Sequence, residues 1–197
     1  MHEGSTMANT REQCMRLSRR QFLCLPAALP LFGTLASASP YLCRQSCCLE
    51  LARAGDVPAA MKHFRRVVDG LPDRSEGYYH LGLAHIQSGD PATGLVELER
   101  ALELNPEYTA ALDNAAYAHG LLGRFDLAVA TYHRLIELQP NSALAWRNLG
   151  IAEVKSGRLA EGRAATRHAL ELAHAAGEAV LATQIEAQLG QFEAMEH

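Results

Sequence analysis

Apolar residues along this chain follow two unlike patterns. The first is a single block. From Leu23 to Ala38 no residue is charged, and Arg11, Arg16, Arg19 and Arg20 stand just before it. The second is periodic. Gly55, Gly89, Gly123 and Gly157 lie 34 residues apart, and so do Pro72, Pro106 and Pro140. Two residue types that share one spacing mark an internal repeat, which sets repeats at 41–74, 75–108, 109–142 and 143–176. No alternation of period two occurs, so the expected elements are helices. Each repeat reads as a helix A, a turn at the glycine, and a helix B that stops near the proline, which cannot continue a helix. The turns are Ala54-Gly55-Asp56, Ser88-Gly89-Asp90, Leu122-Gly123-Arg124 and Ser156-Gly157-Arg158. Repeat 143–176 ends at His174 where the others have proline. After it, Leu181, Ile185, Leu189 and Phe192 share one face of a last helix over 178–194, with Gln184, Glu186, Gln191 and Glu193 mostly elsewhere. A repeat array needs such a closing helix with a polar outer face.

Size alternates in step with the period. One position holds Cys48, Gly82, Ala116 and Gly150, and a second holds Ala60, Gly94, Ala128 and Gly162. All eight are small, as two antiparallel helices require where they cross closely. One turn further on, a bulky residue fills the space: Phe64, Leu98 and Tyr132, with Thr166 as a weaker fourth. The third small site, with Val67, Ala101, Leu135 and Ala169, is only partly kept.

A 34-residue helical repeat with these small positions resembles the tetratricopeptide repeat, and Ala145-Trp146-Arg147-Asn148-Leu149-Gly150 is similar to that family's helix A motif. Repeat 41–74 departs most, with Arg44 where an aromatic or Leu is usual. The resemblance covers residues 41–176. It implies an all-α helix-turn-helix solenoid of about four repeats, with 177–197 as capping helix and tail. It also implies a peptide-binding groove lined by helix A. Carried over, the lining is Gln45, Leu49 and Arg53, then Tyr79, Leu83 and Ile86, then Asp113, Tyr117 and Leu121, then Arg147, Ile151 and Lys155. Asn114 and Asn148 match the position where the family holds a ligand's backbone, a task suited to an amide that both donates and accepts. The centre of this lining is apolar and aromatic, and tyrosines make rigid anchors. Leu49 and Tyr79 stand where an acidic-tail clamp would need polar or basic groups, which leaves Arg147 and Lys155 as a basic pair for a weak carboxylate site.

Composition adds limits. Of 197 residues, 48 % are hydrophobic and 20 % charged, which describes a globular chain. The net charge of −4 excludes a strongly basic protein with general affinity for nucleic acid or anionic membranes. The charge is unevenly placed, however. The four arginines, the apolar block and Ala36-Ser37-Ala38 form the n-region, h-region and cleavage site of a secretory signal. The block carries Pro26, Pro30 and Gly33 and falls short of the roughly 20 residues of a spanning helix. Ser18-Arg19-Arg20-Gln21-Phe22-Leu23 resembles the twin-arginine export motif, with Cys24 where Lys is common. Met15 just upstream would make a compact translation start. The resemblance implies export of a folded bacterial protein to the periplasm, with residues 1–38 as leader and no stable membrane anchor after cleavage. Cleavage after Ala38 leaves 14 basic and 20 acidic side chains, a charge of −6.

Candidate chemistry is sparse. No P-loop, GxSxG, HExxH or GxGxxG occurs, so an enzyme is not expected, and no cofactor is implied. Beyond the leader's Cys14 and Cys24, three cysteines remain: Cys43, Cys47 and Cys48. An odd number in an oxidising compartment leaves a free or intermolecular thiol. One reading is a thiol-dependent maturation factor for a cytochrome or metalloenzyme, using all three. The other is structural: Cys48 sits at the small position and Cys47 where Leu81 and Leu149 pack, and buried Cys behaves as a small hydrophobe. His85 and His119 recur at one period without a carboxylate or thiolate set, which fits packing better than metal. The function expected is an exported interaction module, a scaffold or assembly factor, whose helix A groove takes a peptide segment of another envelope protein.

Overall fold

The computed structural model of the chain describes residues 57–195. The leader, Cys43, Cys47, Cys48, the groove positions Gln45, Leu49 and Arg53, and the expected first helix A lie outside the described residues. Contacts divide the chain into two units, Met1–Val67 and Val68–His197. Helix α1 (Val57–Gly70) stands where the first helix B was expected, and it buries Ala60, Phe64 and Val67.

The second unit is built of helix pairs. The A helices are α2 (Ser75–Gln87), α4 (Thr109–Leu121) and α6 (Ala143–Lys155). The B helices are α3 (Pro91–Leu104), α5 (Phe125–Leu138) and α7 (Leu159–Ala175), and α8 (Ala179–Ala194) closes the array. Among the described residues every regular element is a helix. From α2 onward each helix packs on the next in the chain, and α2 also meets α4, as α6 meets α8. This is the expected all-α solenoid.

Local chemistry explains the boundaries. Gly89, Gly123 and Gly157 adopt φ of 86°, 71° and 89°, a left-handed backbone that favours glycine. Around each, two amides satisfy the last carbonyls of helix A. Gly89 N–H donates to Ile86 and Asp90 N–H to His85, both at 3.0 Å, and the other two turns repeat the pair. Helices α3 and α5 stop at Leu104 and Leu138, two residues before Pro106 and Pro140.

The small positions do what the pattern expected. A Cβ on Gly82 would stand 2.9 Å from the Gly94 carbonyl oxygen, and one on Gly150 would stand 2.8 Å from that of Gly162. Ala116 and Ala128, both buried, take the same places in the middle pair. Thr166, the weak member of the bulky series, is fully buried beside Gly150 and donates its hydroxyl to the Gly162 carbonyl at 2.8 Å. Its hydroxyl is thus satisfied in an otherwise apolar crossing. His85 and His119 are buried, in agreement with a packing role.

The C-terminal end departs from expectation in two ways. Without a proline at 174, α7 runs to 17 residues where α3 and α5 have 14. It then ends in a turn at Gly177 (φ 73°) of the kind found inside repeats, with Glu178 N–H donating to Ala173 at 2.9 Å. The packing face of α8 points where it was expected, with its edges filled differently. Ala182, Ile185, Gln188 and Phe192 are buried, while Leu181 and Leu189 are only half-buried. Trp146 joins the two core clusters on either side of α6, its indole N–H donating to the Pro140 carbonyl at 2.8 Å.

Candidate functional site

Helical geometry brings residues i, i+4 and i+8 to one face, so each A helix offers three lining positions. On α2 these are Tyr79, Leu83 and Gln87; on α4, Asp113, Tyr117 and Leu121; on α6, Arg147, Ile151 and Lys155. Ile86 is the correction. It lies one residue off this register and turns to the α2/α3 crossing, where a Cβ on Gly94 would meet its Cγ1 at 2.7 Å. Val154 fills the same place opposite Gly162. Exposed Gln87 takes the lining position instead.

Along these nine positions, apolar exposure is greatest on α4. Tyr117 is 53 % and Leu121 50 % exposed, one turn apart, while Leu83 and Ile151 on the flanking helices are half-buried. Two large apolar side chains held open on a helix that is otherwise well packed have no internal role to explain them.

A polar line crosses the same face. Asp113 is half-buried, and Asn148 on the next A helix approaches it, its amide nitrogen 3.4 Å from the carboxylate. Burial pushes the Asp113 carboxyl above its ordinary range, and the Asn148 amide draws it partly back. Tyr79 is raised by burial and then by the negative charge of Asp113, and Tyr132 by burial and by Asp113 and Tyr117. The Asp113 charge is therefore felt by tyrosines on both α2 and α5. The Tyr79 ring also lies 4.9 Å from Tyr108 and 5.0 Å from His80.

Three expected ligand-holding side chains are already engaged. Asn114 donates to the Ala110 carbonyl of its own helix at 2.8 Å. Asn148 is directed at Asp113. Arg147 donates through Nε to the Gln188 side-chain oxygen at 3.0 Å, which ties it to α8. The Arg147–Lys155 pair is thus divided: Lys155 stays exposed, and Arg147 is drawn toward the closing helix. Residues not foreseen on this face are Tyr108, Tyr132 and Gln188. Tyr132 fills space in the core as expected, and burial and the Asp113 charge together hold its phenol un-ionised. Among the described residues no group of three His, Cys, Asp or Glu is placed to hold a metal ion. No helix among them is long and apolar enough to cross a membrane.

Comparison with known proteins agrees with this architecture. A family model described as "Tetratricopeptide repeat" matches residues 49–109, 79–129 and 114–179. The "Protein SGT1 homolog" of Bos taurus is 36 % identical over 102 residues, covering 52 % of this chain and 26 % of that protein. The "Photosystem I assembly protein Ycf3" of Synechococcus sp. (strain CC9605) is 34 % identical over 87 residues, covering 43 % of this chain and 50 % of that protein. The chain thus spans between a quarter and a half of the length of these two relatives. Among solved structures, "YrrB: a TPR protein with an unusual peptide-binding site" superposes with a TM-score of 0.65 at 18 % identity, covering 77 % of this chain and 76 % of that one.

Proposed function

The chain belongs to the tetratricopeptide repeat family, and from that premise we propose that it is an exported interaction module whose A-helix face binds a peptide segment of another envelope protein. The observation that carries the binding reading is the exposed Tyr117–Leu121 pair, flanked by Leu83 and Ile151 on the neighbouring A helices. An extended or helical segment lying across the three A helices would cover this apolar row, and tyrosine supplies contact area at low entropic cost. Export rests on the twin-arginine pattern Ser18-Arg19-Arg20-Gln21-Phe22-Leu23 and the Ala36-Ser37-Ala38 site. A scaffold or assembly role is in keeping with relatives whose own names record assembly and peptide binding.

The test is affinity capture from the periplasmic fraction of the native host, with the Tyr117→Ser/Leu121→Ser variant beside the native chain. Both side chains face solvent, so the variant keeps its fold, checked by its thermal melt. The expected result is a partner lost with the variant and indifferent to reductant. A partner retained by the variant would sink the proposal. Sequencing the N-terminus of the exported protein should give Ser39, and a retained residue from 1–38 would count against cleavage after Ala38.

A further inference from the structure

The buried carboxylate of this array is paired with a cation. Glu153, 6 % exposed, takes the Nε–H of Arg158, and His133 approaches it at 3.8 Å. Asp126 takes a second nitrogen of Arg158 at 2.8 Å, and Arg100 holds Glu103 at 2.6 Å. Asp113 is also drawn into the protein, yet among the described residues no Lys or Arg pairs with it. Its hydrogen-bond donor is the neutral amide of Asn148, at the long distance of 3.4 Å. A carboxylate partly removed from water without a counter-charge is held at a cost.

The neighbours explain why the place stays open. Arg147 occupies the position on α6 that Asp113 occupies on α4, and it would be the natural partner. Gln188 holds it instead, and Gln188 is itself buried on α8. Around Asp113 stand aromatic rings: half-buried Tyr79 on α2, exposed Tyr117 one turn along α4, and Tyr132 on α5. Helices α2 and α5 both pack on α4, and the Asp113 charge opposes ionisation of Tyr79 and Tyr132 on them. A carboxylate among aromatic faces suits a cation, which gains from the charge and from the π-systems together.

Resting on the groove reading above, we infer that Asp113 is a cation receptor: the bound segment carries a lysine or arginine that meets the Asp113 carboxylate, with apolar neighbours lying on Tyr117, Leu121 and Leu83. This reverses the polarity of a clamp built from basic residues around an acidic tail. Specificity then comes from two sources. The apolar row supplies contact area, and Asp113 fixes the register of the segment and rejects an acidic residue at that place.

The experiment is selection of a randomised dodecapeptide display library on the full-length chain and on its Asp113→Asn variant. Asn keeps the size of the side chain and removes its charge, and equal thermal melts show that the fold is kept. On the native chain the selected peptides should share a lysine or arginine next to apolar residues. Replacing that residue by norleucine should weaken binding about tenfold on the native chain and less than about twofold on the variant. A Leu121→Ser variant should lose the apolar preference and keep the basic one. Selected peptides without a common basic residue would overturn the inference while leaving the groove reading standing. So would a basic preference that survives Asp113→Asn. Selection of no peptide by the native chain would remove the groove reading, and this inference with it.

Discussion

The middle helix pair, α4 and α5, is built differently from the pairs on either side of it. In both neighbours helix A crosses helix B at glycine against glycine, Gly82 with Gly94 and Gly150 with Gly162, so the backbones touch. In the middle the crossing is Ala116 against Ala128. The neighbours fill the last turn of helix A with Ile86 and Val154, whereas the middle has Gly120, around which a Cβ would meet nothing within 4 Å. The turns differ too. Ser88 and Ser156 donate their hydroxyls to the His85 and Glu153 carbonyls at 2.8 Å, and Leu122 replaces them in the middle. The titratable residue buried before each turn meets an opposite charge within that turn in the neighbours, His85 with Asp90 and Glu153 with Arg158, whereas the turn after His119 brings Arg124 and its opposite charge, Glu99, comes from α3. The pair that exposes Tyr117 and Leu121 is thus the one with the weakest internal fastening. On the proposed reading, the surface offered to a partner and the tightest helix crossings fall in different repeats.

The sharpest way to break the comparison is to add a methyl group where the backbones touch. Gly150→Ala places a Cβ within 3 Å of the Gly162 carbonyl and against Thr166, and should cost about 2 kcal/mol in thermal or denaturant unfolding. Gly82→Ala should cost a similar amount, since its Cβ meets both Leu98 and the Gly94 carbonyl. A change under about 0.5 kcal/mol at either site would mean that the crossings are not tight.

The next effect has the opposite sign. Asp90 caps α3 by accepting the Thr93 amide, whereas α5 begins at Arg124 without a side-chain cap. Arg124→Asp should give the middle turn that cap, remove a like charge from His119, and raise the melting temperature by about 2–4 °C. An unchanged or lower melting temperature would refute the account of the turn. Gly120→Ala should then stabilise by about 0.5–1 kcal/mol, since the site is helical and has room, and the same substitution at Gly94 should destabilise. If the two glycines respond alike, the asymmetry is not one of packing.

The smallest effect is in pH. Burial and Arg124 lower the His119 pKa below its ordinary 6.5, with Glu99 opposing, and burial lowers that of His80 against the pull of Glu76. Unfolding lets these groups take up protons that the fold resists. Their contribution is therefore complete above about 6.5 and is lost as the pH falls through the lowered folded values. Thermal melts from pH 7.5 to 5 should decline, and His119→Gln should flatten part of the decline. A decline identical in the variant would assign the effect to His80 and other groups.

Much of this was legible in the chain because steric rules recur with the period. Close crossing demands a small residue in every repeat, so eight small positions in register announced the helix pairs. Turn glycines were legible for the same reason, since a left-handed residue tolerates little else. What escaped was whatever the period does not govern. Ile86 and Gln87 differ by one step, about 100° around a helix, and an apolar side chain suited the lining as well as the crossing. Asn114 donates to its own helix, a choice of side-chain torsion that spacing does not encode. Arg147 is taken by Gln188, 41 residues away and outside the repeat register. On α8 the direction of the buried face was legible and only its edges were not: Ala182 and Gln188 are buried where Leu181 and Leu189 were expected, and those two are half-buried.

The Gly177 turn has a consequence of its own. A stack of identical units is an open polymer, and nothing in a repeat marks one junction from the next. Here an intra-repeat bend stands where an inter-repeat loop belongs, and Glu186 and Glu193 on α8 reach back to His174 and Arg167 at 3.6 Å. In the language of polymers, one residue with φ of 73° is a defect in the order of the units, and it sets the α7–α8 junction apart from α3–α4 and α5–α6.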